Sequence, residues 1–296
     1  MLWRRICLFR YICKMKKTIL VTIALLCGLM LFGQGKVKTR KYLLSDFTDK
    51  ITKVVLPGNG ILESALRQEV TDRWTASPFE FCTLEEFEQK KSSSEYYFLI
   101  PAEGRFKDET APGITFLTLV KGGAEGEGLD PMTEIISLPL TSAGAGSGRE
   151  LVYLSALVEA IQSYTLAAMG SEKTAYLGYA FFNDNYIHKG HIKRIYLSKG
   201  DLSPKVTQKD IERYVDAADF ILTEEDDADA VFNAGTYGTL VGFVVAPEHP
   251  QDGSYSYQML IEADTHTIYY IRKRRCSDKA PAGFGADDLK RLSRRR

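Results

Sequence analysis

A glycine-rich segment lies between a predicted strand and a predicted helix, where backbone amides at a helix N-terminus can hold a phosphate. It reads Gly144-Ala145-Gly146-Ser147-Gly148 and is followed by Arg149. A dinucleotide-binding fingerprint needs a small residue in place of Arg149, and a P-loop needs a Gly-Lys-Ser/Thr ending that is missing. A hydrolase nucleophile elbow needs glycine two positions to each side of Ser147, where Ala145 and Arg149 stand. The segment therefore favours a flexible loop over a phosphate site or a serine nucleophile.

The histidines offer a second candidate chemistry. His188 and His191 are three positions apart, and the segment Asn183-Asp184-Asn185 lies just upstream, so that nitrogen and oxygen donors share one short loop. No third or fourth metal ligand can be named, and the pattern favours a surface loop anchored by aromatic residues. His249 and His266 lie in predicted turns. We predict neither a metal nor a cofactor, and no catalytic residue can be named.

An acidic run follows Thr223 and contains Glu224, Glu225, Asp226, Asp227 and Asp229. It has the oxygen ligands that Ca²⁺ prefers, but it lacks the spacing of a calcium-binding loop. Acidic residues are also favoured in the first turn of a helix by the helix dipole. We therefore predict a helix that Thr223 caps and that begins with this run.

Two of the five cysteines, Cys82 and Cys276, lie outside the N-terminal segment that we expect to be removed. Two cysteines do not make a disulfide-built scaffold. A disulfide between them and two separate buried thiols are both open.

The N-terminal residues predict a secretory signal peptide over residues 15–34. Met15-Lys16-Lys17 is a short cationic start, and the uncharged run Thr18–Phe32 ends before Gly33-Gln34. This run is shorter than the roughly 20 apolar residues of a membrane-spanning helix, so we expect cleavage near Gly33 or Gln34. Cys27 lies inside the apolar run after the bulky Leu26, which disfavours a lipoprotein. Residues 1–14 are interpreted as an upstream start assigned in error.

The charge distribution predicts an acidic body and a basic C-terminal tail over residues 277–296. The first 34 residues carry six basic and no acidic side chains, and the rest of the chain has 32 basic against 38 acidic residues. The acidic body argues against a general nucleic-acid-binding protein. The tail, which ends Arg294-Arg295-Arg296, is interpreted as solvated or lying on the acidic body, with an anionic membrane surface as the alternative.

The spacing of apolar residues predicts an α/β protein. In the first half we expect, in chain order, a short strand, a turn, a helix with one buried face, a second strand, a capped helix and three further strands. The predicted strands are Lys53–Leu56, Phe79–Cys82, Tyr96–Ile100, Ile114–Val120 and Glu134–Leu140. The buried face of the first helix is predicted to contain Ile61, Leu62, Ala65, Leu66, Val70 and Trp74. The second helix is predicted to begin with a capping box of Thr83 and Glu86.

The second half begins with the strongest predicted helix, Arg149–Met169, which has apolar residues along one side. Strands Arg194–Leu197, Phe220–Leu222 and Leu240–Ala246, a capped helix Thr207–Val215 and a hairpin over 255–272 follow. We predict mixed sheets and two related α/β halves, 35–140 and 149–276, pairing FEFCTLEEFEQ and YYFLI with RIYLS, TQKDIERY and FIL. A chance similarity of α/β pattern is the alternative to this repeat.

Three sets of segments are distinctive in sequence: WTASPFEFCTLEEFE, YYFLI with ITFLTLVKGG, and GTLVGFVVAP with YSYQMLIEADTHTIYYIRK. Together they resemble a family of uncharacterised secreted bacterial proteins. The order of helix, strand and capped helix is also loosely similar to the N-terminal α/β domains of TolB-type envelope proteins. The resemblance implies a secreted α/β fold, and no functional residue carries over from it.

These observations favour a non-enzymatic periplasmic or secreted protein that binds an unknown protein partner or an envelope component. The alternative is an exported hydrolase whose site is dispersed over the fold. A binding module predicts a shallow, aromatic-rich surface, whereas a hydrolase predicts a deep cleft that gathers carboxylates or a nucleophile with His188, His191 or His266.

Overall fold

The computed structural model describes residues 44–294 except 57, 59, 124–128, 130, 145, 186–189, 217 and 218. The predicted signal peptide, 15–34, and the upstream segment, 1–14, lie outside the described residues. So does His188.

The first half of the chain forms a five-stranded mixed sheet in the order β2-β1-β3-β4-β5. Strand β1 is parallel to β2 and β3, and β4 is antiparallel to β3 and β5. Its elements are β1 (Ile51–Val55), α1 (Gly60–Arg73), β2 (Phe79–Cys82), α2 (Leu84–Lys90), β3 (Tyr96–Gly104), β4 (Ile114–Lys121), β5 (Thr133–Ser142) and α3 (Arg149–Gly170).

The second half forms a second five-stranded sheet, in the order β10-β9-β8-β6-β7. Two short helices, α4 (Glu172–Ala175) and α5 (Ala180–Asn185), connect the halves. The following elements are β6 (Arg194–Ser198), α6 (Gln208–Tyr214), β7 (Phe220–Thr223), α7 (Glu225–Asn233), β8 (Thr239–Val245), β9 (Tyr255–Glu262), β10 (Ile268–Arg275) and α8 (Ala286–Arg294).

The two halves have the same topology. Strand β6 is parallel to β7 and β8, and β9 is antiparallel to β8 and β10, as in the first sheet. The predicted α/β fold with mixed sheets and two related halves is therefore confirmed. Helix α3, which was predicted to begin the second half, instead follows β5 as the last element of the first half, just as α8 follows β10. The predicted pairing of segments was wrong by one strand-helix unit, because β2, α2 and β3 correspond to β7, α7 and β8. Helices α2 and α6 both have a Thr N-cap residue in a capping box, and this local similarity led to the wrong alignment of the two halves.

The direction of each crossover decides which face of a sheet a helix covers. Strands β2 and β3 lie on opposite sides of β1, so right-handed crossovers place α1 and α2 on opposite faces. Leu66 and Val70 of α1 pack in the central core, whereas Phe87 of α2 packs with Val55 on the other face. In the second half, α7 faces the central core and α6 the outside. The halves therefore stack through unlike faces.

Helix α3 lies between the two sheets and is buried around most of its circumference. The sequence predicted one apolar side, but Tyr153, Leu157 and Tyr164 are buried as well as Leu154 and Val158. Within the described residues, it is the one helix whose length and composition would allow it to cross a membrane. Its surroundings explain its apolar character, because the central core covers it with side chains from both halves.

The local predictions are confirmed at some positions and wrong at others. The capping box of Thr83 and Glu86 is present, and the hairpin residues Tyr257, Met259, Ile261 and Ile268 are buried. Ile61 was wrongly assigned to a buried face, because it is 70% exposed at the start of α1. Cys82 and Cys276 are separate buried thiols rather than a disulfide.

The basic C-terminal segment folds over its described residues. Helix α8 buries Leu289 and Leu292 completely on the outer face of the second sheet. Its Asp288 is buried and pairs with Arg272 and Arg274. Residues 277–294 are therefore part of the second half rather than a solvated tail.

We expect Leu154→Ala to lower the free energy of unfolding by about 2–5 kcal/mol, because it leaves a cavity in the core that both halves share. Leu166→Ala on the same helix is the matched control, since Leu166 is 42% exposed, and its effect should stay within about 0.5 kcal/mol. Urea unfolding measures both values. Two separate unfolding transitions, or equal effects of the two substitutions, would contradict a shared core.

Candidate functional site

The candidate site is a cavity of about 740 Å³ at the carboxyl ends of strands in the second sheet. Strands β6 and β8 end at its floor, and the β5–α3 turn of the first half and the segment after β10 close its sides. Its lining comprises Leu140, Thr141, Ser142, Ser147, Arg149, Gly200, Asp201, Leu202, Pro204, Glu225, Phe243, Val244, Val245, Ala246, Pro247, Glu248, Pro250, Gln251, Asp252, Cys276, Ser277, Asp278, Pro281, Ala282 and Gly283.

The topology explains why a cavity forms here. Strand β6 continues toward α6 on one face of the sheet, and β7 leads through α7 on the other face back to β8. The carboxyl ends of β6 and β8 therefore form the switch point at which open α/β sheets bind ligands. The volume falls within the roughly 300–1,000 Å³ of small-molecule sites. Both halves contribute to the cavity, so it is complete only in the folded tandem.

Arg149 is the first residue of α3 and is buried beneath the cavity. A positive charge at a helix N-terminus is opposed by the helix dipole. Burial of an arginine also costs free energy unless its charge and donors are satisfied. The position of Arg149 is therefore tolerable only because other elements bring acceptors to it.

Two buried aspartates from the second half satisfy the guanidinium of Arg149. Its Nη1 donates to both carboxylate oxygens of Asp201, at 2.9 and 3.1 Å. Its Nε and Nη2 donate to Asp229 at 2.9–3.2 Å. Glu225, at the start of α7, adds a carboxylate oxygen 3.4 Å from Nη1. One cation thus ties α3 to the turn after β6 and to α7.

Tyr153 completes the network one turn along α3. Its hydroxyl donates to Asp229 Oδ1 at 2.7 Å, and its ring stacks on Phe243 with the ring centroids 4.3 Å apart. Burial is the main cause that raises the pKa of Tyr153 far above its ordinary value, so the hydroxyl remains a donor. Asp229 is therefore fixed by both Arg149 and Tyr153.

The second aspartate has an unusual proton affinity. Burial raises the pKa of Asp201 from 3.8 to about 7, although the charge and the hydrogen bonds of Arg149 oppose the rise. The nearby carboxylates of Glu225 and Asp229 add to the rise. The charge beneath the cavity therefore changes near neutral pH.

The cavity is acidic. Among the described residues that line it, Arg149 is the one basic side chain, against five carboxylates: Asp201, Glu225, Glu248, Asp252 and Asp278. The donors of Arg149 already face Asp201, Asp229 and the carbonyl oxygen of Gly242. Apolar side chains such as Leu202, Phe243 and Val245 form much of the wall. The site is suited to a ligand with positive charge and some apolar surface.

The end of the glycine-rich segment is engaged by the chain that follows it. The carboxylate of Glu150 accepts a hydrogen bond from the backbone N–H of Gly148 at 2.9 Å and receives the Ser147 hydroxyl at 3.4 Å. A Cβ atom on Gly146 would clash with Glu150 Oε1, so glycine is needed for this carboxylate to fold back. The N–H groups of Gly148 and Arg149 are thus satisfied by the chain itself. Ser147 lines the cavity without a histidine beside it.

The acidic run starts a helix, but Thr223 is not its cap. Helix α7 begins at Glu225 with Glu224 as the N-cap residue, and the Thr223 hydroxyl donates to Asp227 at 3.0 Å. The sequence placed the cap one residue early. Glu225 and Asp229 point toward Arg149, so part of the run neutralises a buried cation in addition to opposing the dipole.

The described histidines lie outside the cavity. His191 Nε2 lies 2.6 Å from the buried carboxylate of Glu262, and Asn183 holds the backbone of Ile271. His266 adopts a positive φ of 56° and contacts Glu159. His249 lines a smaller neighbouring pocket. Within the described part of the chain, no group of three or more His, Cys, Asp or Glu side chains is arranged to hold a metal ion.

Sequence patterns marked Arg149 as the start of the long helix and as a residue that breaks two motifs, and they did not single out Asp201. Arg149 opens a mostly apolar helix, and Asp201 lies three residues after a mostly buried strand. A charged residue at either position needs a reason. Asp201 and Asp229 lie 52 and 80 residues from Arg149 along the chain, and no local sequence pattern reveals such distant pairs.

Comparison of the chain with models of known protein families, with curated protein sequences and with solved structures found no match. The resemblance to secreted bacterial proteins and to TolB-type domains therefore stays a prediction.

We expect Arg149→Ala to lower the free energy of unfolding by about 3–5 kcal/mol, because it leaves Asp201 and Asp229 buried without their cation. Arg149→Lys should restore little of this loss, since an ammonium group cannot serve both carboxylates in the planar geometry of a guanidinium. Arg275→Ala is the control: its exposed pair with Asp108 should contribute no more than about 1 kcal/mol. Chemical unfolding at pH 8 gives all three values. A loss for Arg149→Ala as small as that for Arg275→Ala would contradict the network.

The raised pKa of Asp201 predicts a pH dependence of stability. Between about pH 4 and 7 the folded protein holds more protons at Asp201 than the unfolded chain does, so this group lowers the free energy of unfolding as pH rises, up to its folded pKa. The unfolding free energy of the wild type minus that of Asp201→Asn should therefore fall between about pH 4 and 7 and level off above pH 7. A flat difference, or one that increases with pH, would contradict the raised pKa.

Proposed function

We propose that the protein is an exported, non-enzymatic binding protein of the periplasm or the medium that holds a small organic cation in the acidic cavity. The observation that carries the proposal is the charge balance of the cavity: among the described residues that line it, five are carboxylates, and the one arginine is engaged with Asp201 and Asp229. The export part of the proposal rests on the sequence of residues 15–34.

The rim of the cavity supports a cationic ligand over an anionic one. Glu248, Asp252 and Asp278 are exposed, and none of the three forms an ion pair within the described part of the chain. A phosphate or carboxylate ligand would face this negative rim without a free cation to receive it. The apolar walls below the rim suit methylene groups between charged nitrogens.

An exported hydrolase is the alternative, and one observation favours it. Asp201 has a pKa of about 7 in a cavity that contains other carboxylates, which is a property of general acids. However, both of its oxygens accept hydrogen bonds from Arg149, and His191 and His266 lie elsewhere. The cavity thus has the carboxylates expected of a hydrolase, but none of the histidines that the structure describes lines it.

The test uses the protein recovered from the envelope and medium of expressing cells. Intact mass should give a mature N-terminus near Gln34, and isothermal titration should show binding of the linear triamine spermidine but not of inorganic phosphate. Binding should weaken with added salt, because the attraction is electrostatic. An intact N-terminus on cytoplasmic protein would contradict export.

A triple variant, Glu248→Gln, Asp252→Asn and Asp278→Asn, should weaken spermidine binding by at least about tenfold, since three charges near the ligand are removed. The matched control replaces Glu85, Glu88 and Glu95 with glutamine, far from the cavity, and should bind like the wild type. Equal loss in both variants would indicate nonspecific attraction to an acidic protein. Binding of phosphate in place of spermidine would overturn the proposal.

A further inference from the structure

A side pocket of about 240 Å³ adjoins the acidic cavity. The two share the lining residues Ser142, Pro247, Glu248 and Gln251, so they are neighbours along one wall. The far wall of the side pocket includes Glu109, in the turn between β3 and β4.

Glu109 is a buried carboxylate with one unsatisfied oxygen. Its side chain lies in a residue that is 8% exposed, and its Oε2 accepts a hydrogen bond from the backbone N–H of Phe106 at 2.8 Å. Its Oε1 has no hydrogen-bond partner among the described residues. A buried acceptor without a partner costs free energy, and native proteins satisfy the large majority of such atoms.

No cation of the described chain takes this role. Lys273 is close enough to act on Glu109 electrostatically, but its ammonium group lies over the rings of Phe106 and Tyr255, at 4.0 and 4.1 Å from their centroids. It forms no ion pair with Glu109 within the described residues. The unsatisfied oxygen is thus buried in the wall of a pocket that neighbours an acidic cavity.

The loop around Glu109 is shaped for close approach. A Cβ atom on Gly113 would lie 3.0 Å from Glu109 Oε1 and 2.8 Å from Pro247 Cγ. Glycine therefore allows the carboxylate, the loop and the segment after β8 to meet at this point. A larger residue would fill the space next to the oxygen.

We propose that Glu109 anchors a protonated nitrogen of the ligand, and that the ligand is an elongated organic cation with at least two such nitrogens. One nitrogen lies in the side pocket on Glu109, and the rest of the molecule extends past Glu248 into the acidic cavity. This inference rests on the proposed function, because it specifies the ligand of the same cavity.

The test compares spermidine with nonylamine, a monoamine with the same number of chain atoms, by titration calorimetry on the mature protein. The wild type should bind spermidine at least about tenfold more tightly, because a charge-assisted hydrogen bond to Glu109 is gained. Glu109→Gln should remove most of this difference. Glu103→Gln, on the exposed side of the adjoining strand, is the control and should leave both affinities unchanged.

A purely structural role for Glu109 predicts a different result for stability. Without ligand, Glu109→Gln should keep or raise the melting temperature, because it removes a buried charge and retains an acceptor for the Phe106 N–H. A structural role predicts a clear fall in melting temperature.

The outcomes separate the two proposals. If neither amine binds the wild type, the proposed function and this inference both fail. If both amines bind equally and Glu109→Gln changes nothing, the cation-binding cavity stands and the role of Glu109 is overturned. Loss of spermidine binding together with a large loss of stability also overturns it.

Discussion

The buried guanidinium of Arg149 is the interaction on which the arrangement of the two halves depends. It lies at the start of the helix between the sheets, against the direction of the helix dipole, and it is held by Asp201 and Asp229 of the other half. Because the donors of Arg149 are engaged by these two carboxylates, the guanidinium adds little positive electrostatic potential to the acidic cavity. The same contact therefore joins the halves and leaves the adjoining cavity negative.

The tandem arrangement explains both the apolar helix and the cavity. Helices α3 and α8 occupy the same place in the repeated topology, yet α3 is buried on nearly all sides, whereas α8 buries Leu289 and Leu292 and exposes Arg291. The difference follows from position, since α3 lies between two sheets and α8 covers the outer face of the second. Stacking through unlike faces also brings the β5–α3 turn beside the switch point of the second sheet, so that both halves line the cavity.

The sequence was sufficient to predict the local elements and insufficient for their partners. Alternation and capping chemistry located the strands, the Thr83 capping box and the β9–β10 hairpin, because these depend on residues close in the chain. The all-round burial of α3 depends on a second sheet whose strands begin only at Arg194, and the contacts of Arg149 with Asp201 and Asp229 likewise join residues far apart in the chain. The glycine-rich segment was interpreted as a flexible loop, but Glu150 folds back onto it, so Gly146 allows close packing, whereas Gly144 and Gly148 adopt positive φ. Glu109 had no sequence feature that marked it, since its significance lies in an unsatisfied oxygen.

The most direct test of the central claim is a crystal structure of the mature protein with spermidine. The account predicts an extended ligand in the acidic cavity, with one terminal nitrogen within hydrogen-bond distance of Glu109 Oε1 and another near the carboxylates of the rim. Spermidine bound only at scattered surface carboxylates, or an anion occupying the cavity against Arg149, would contradict the account.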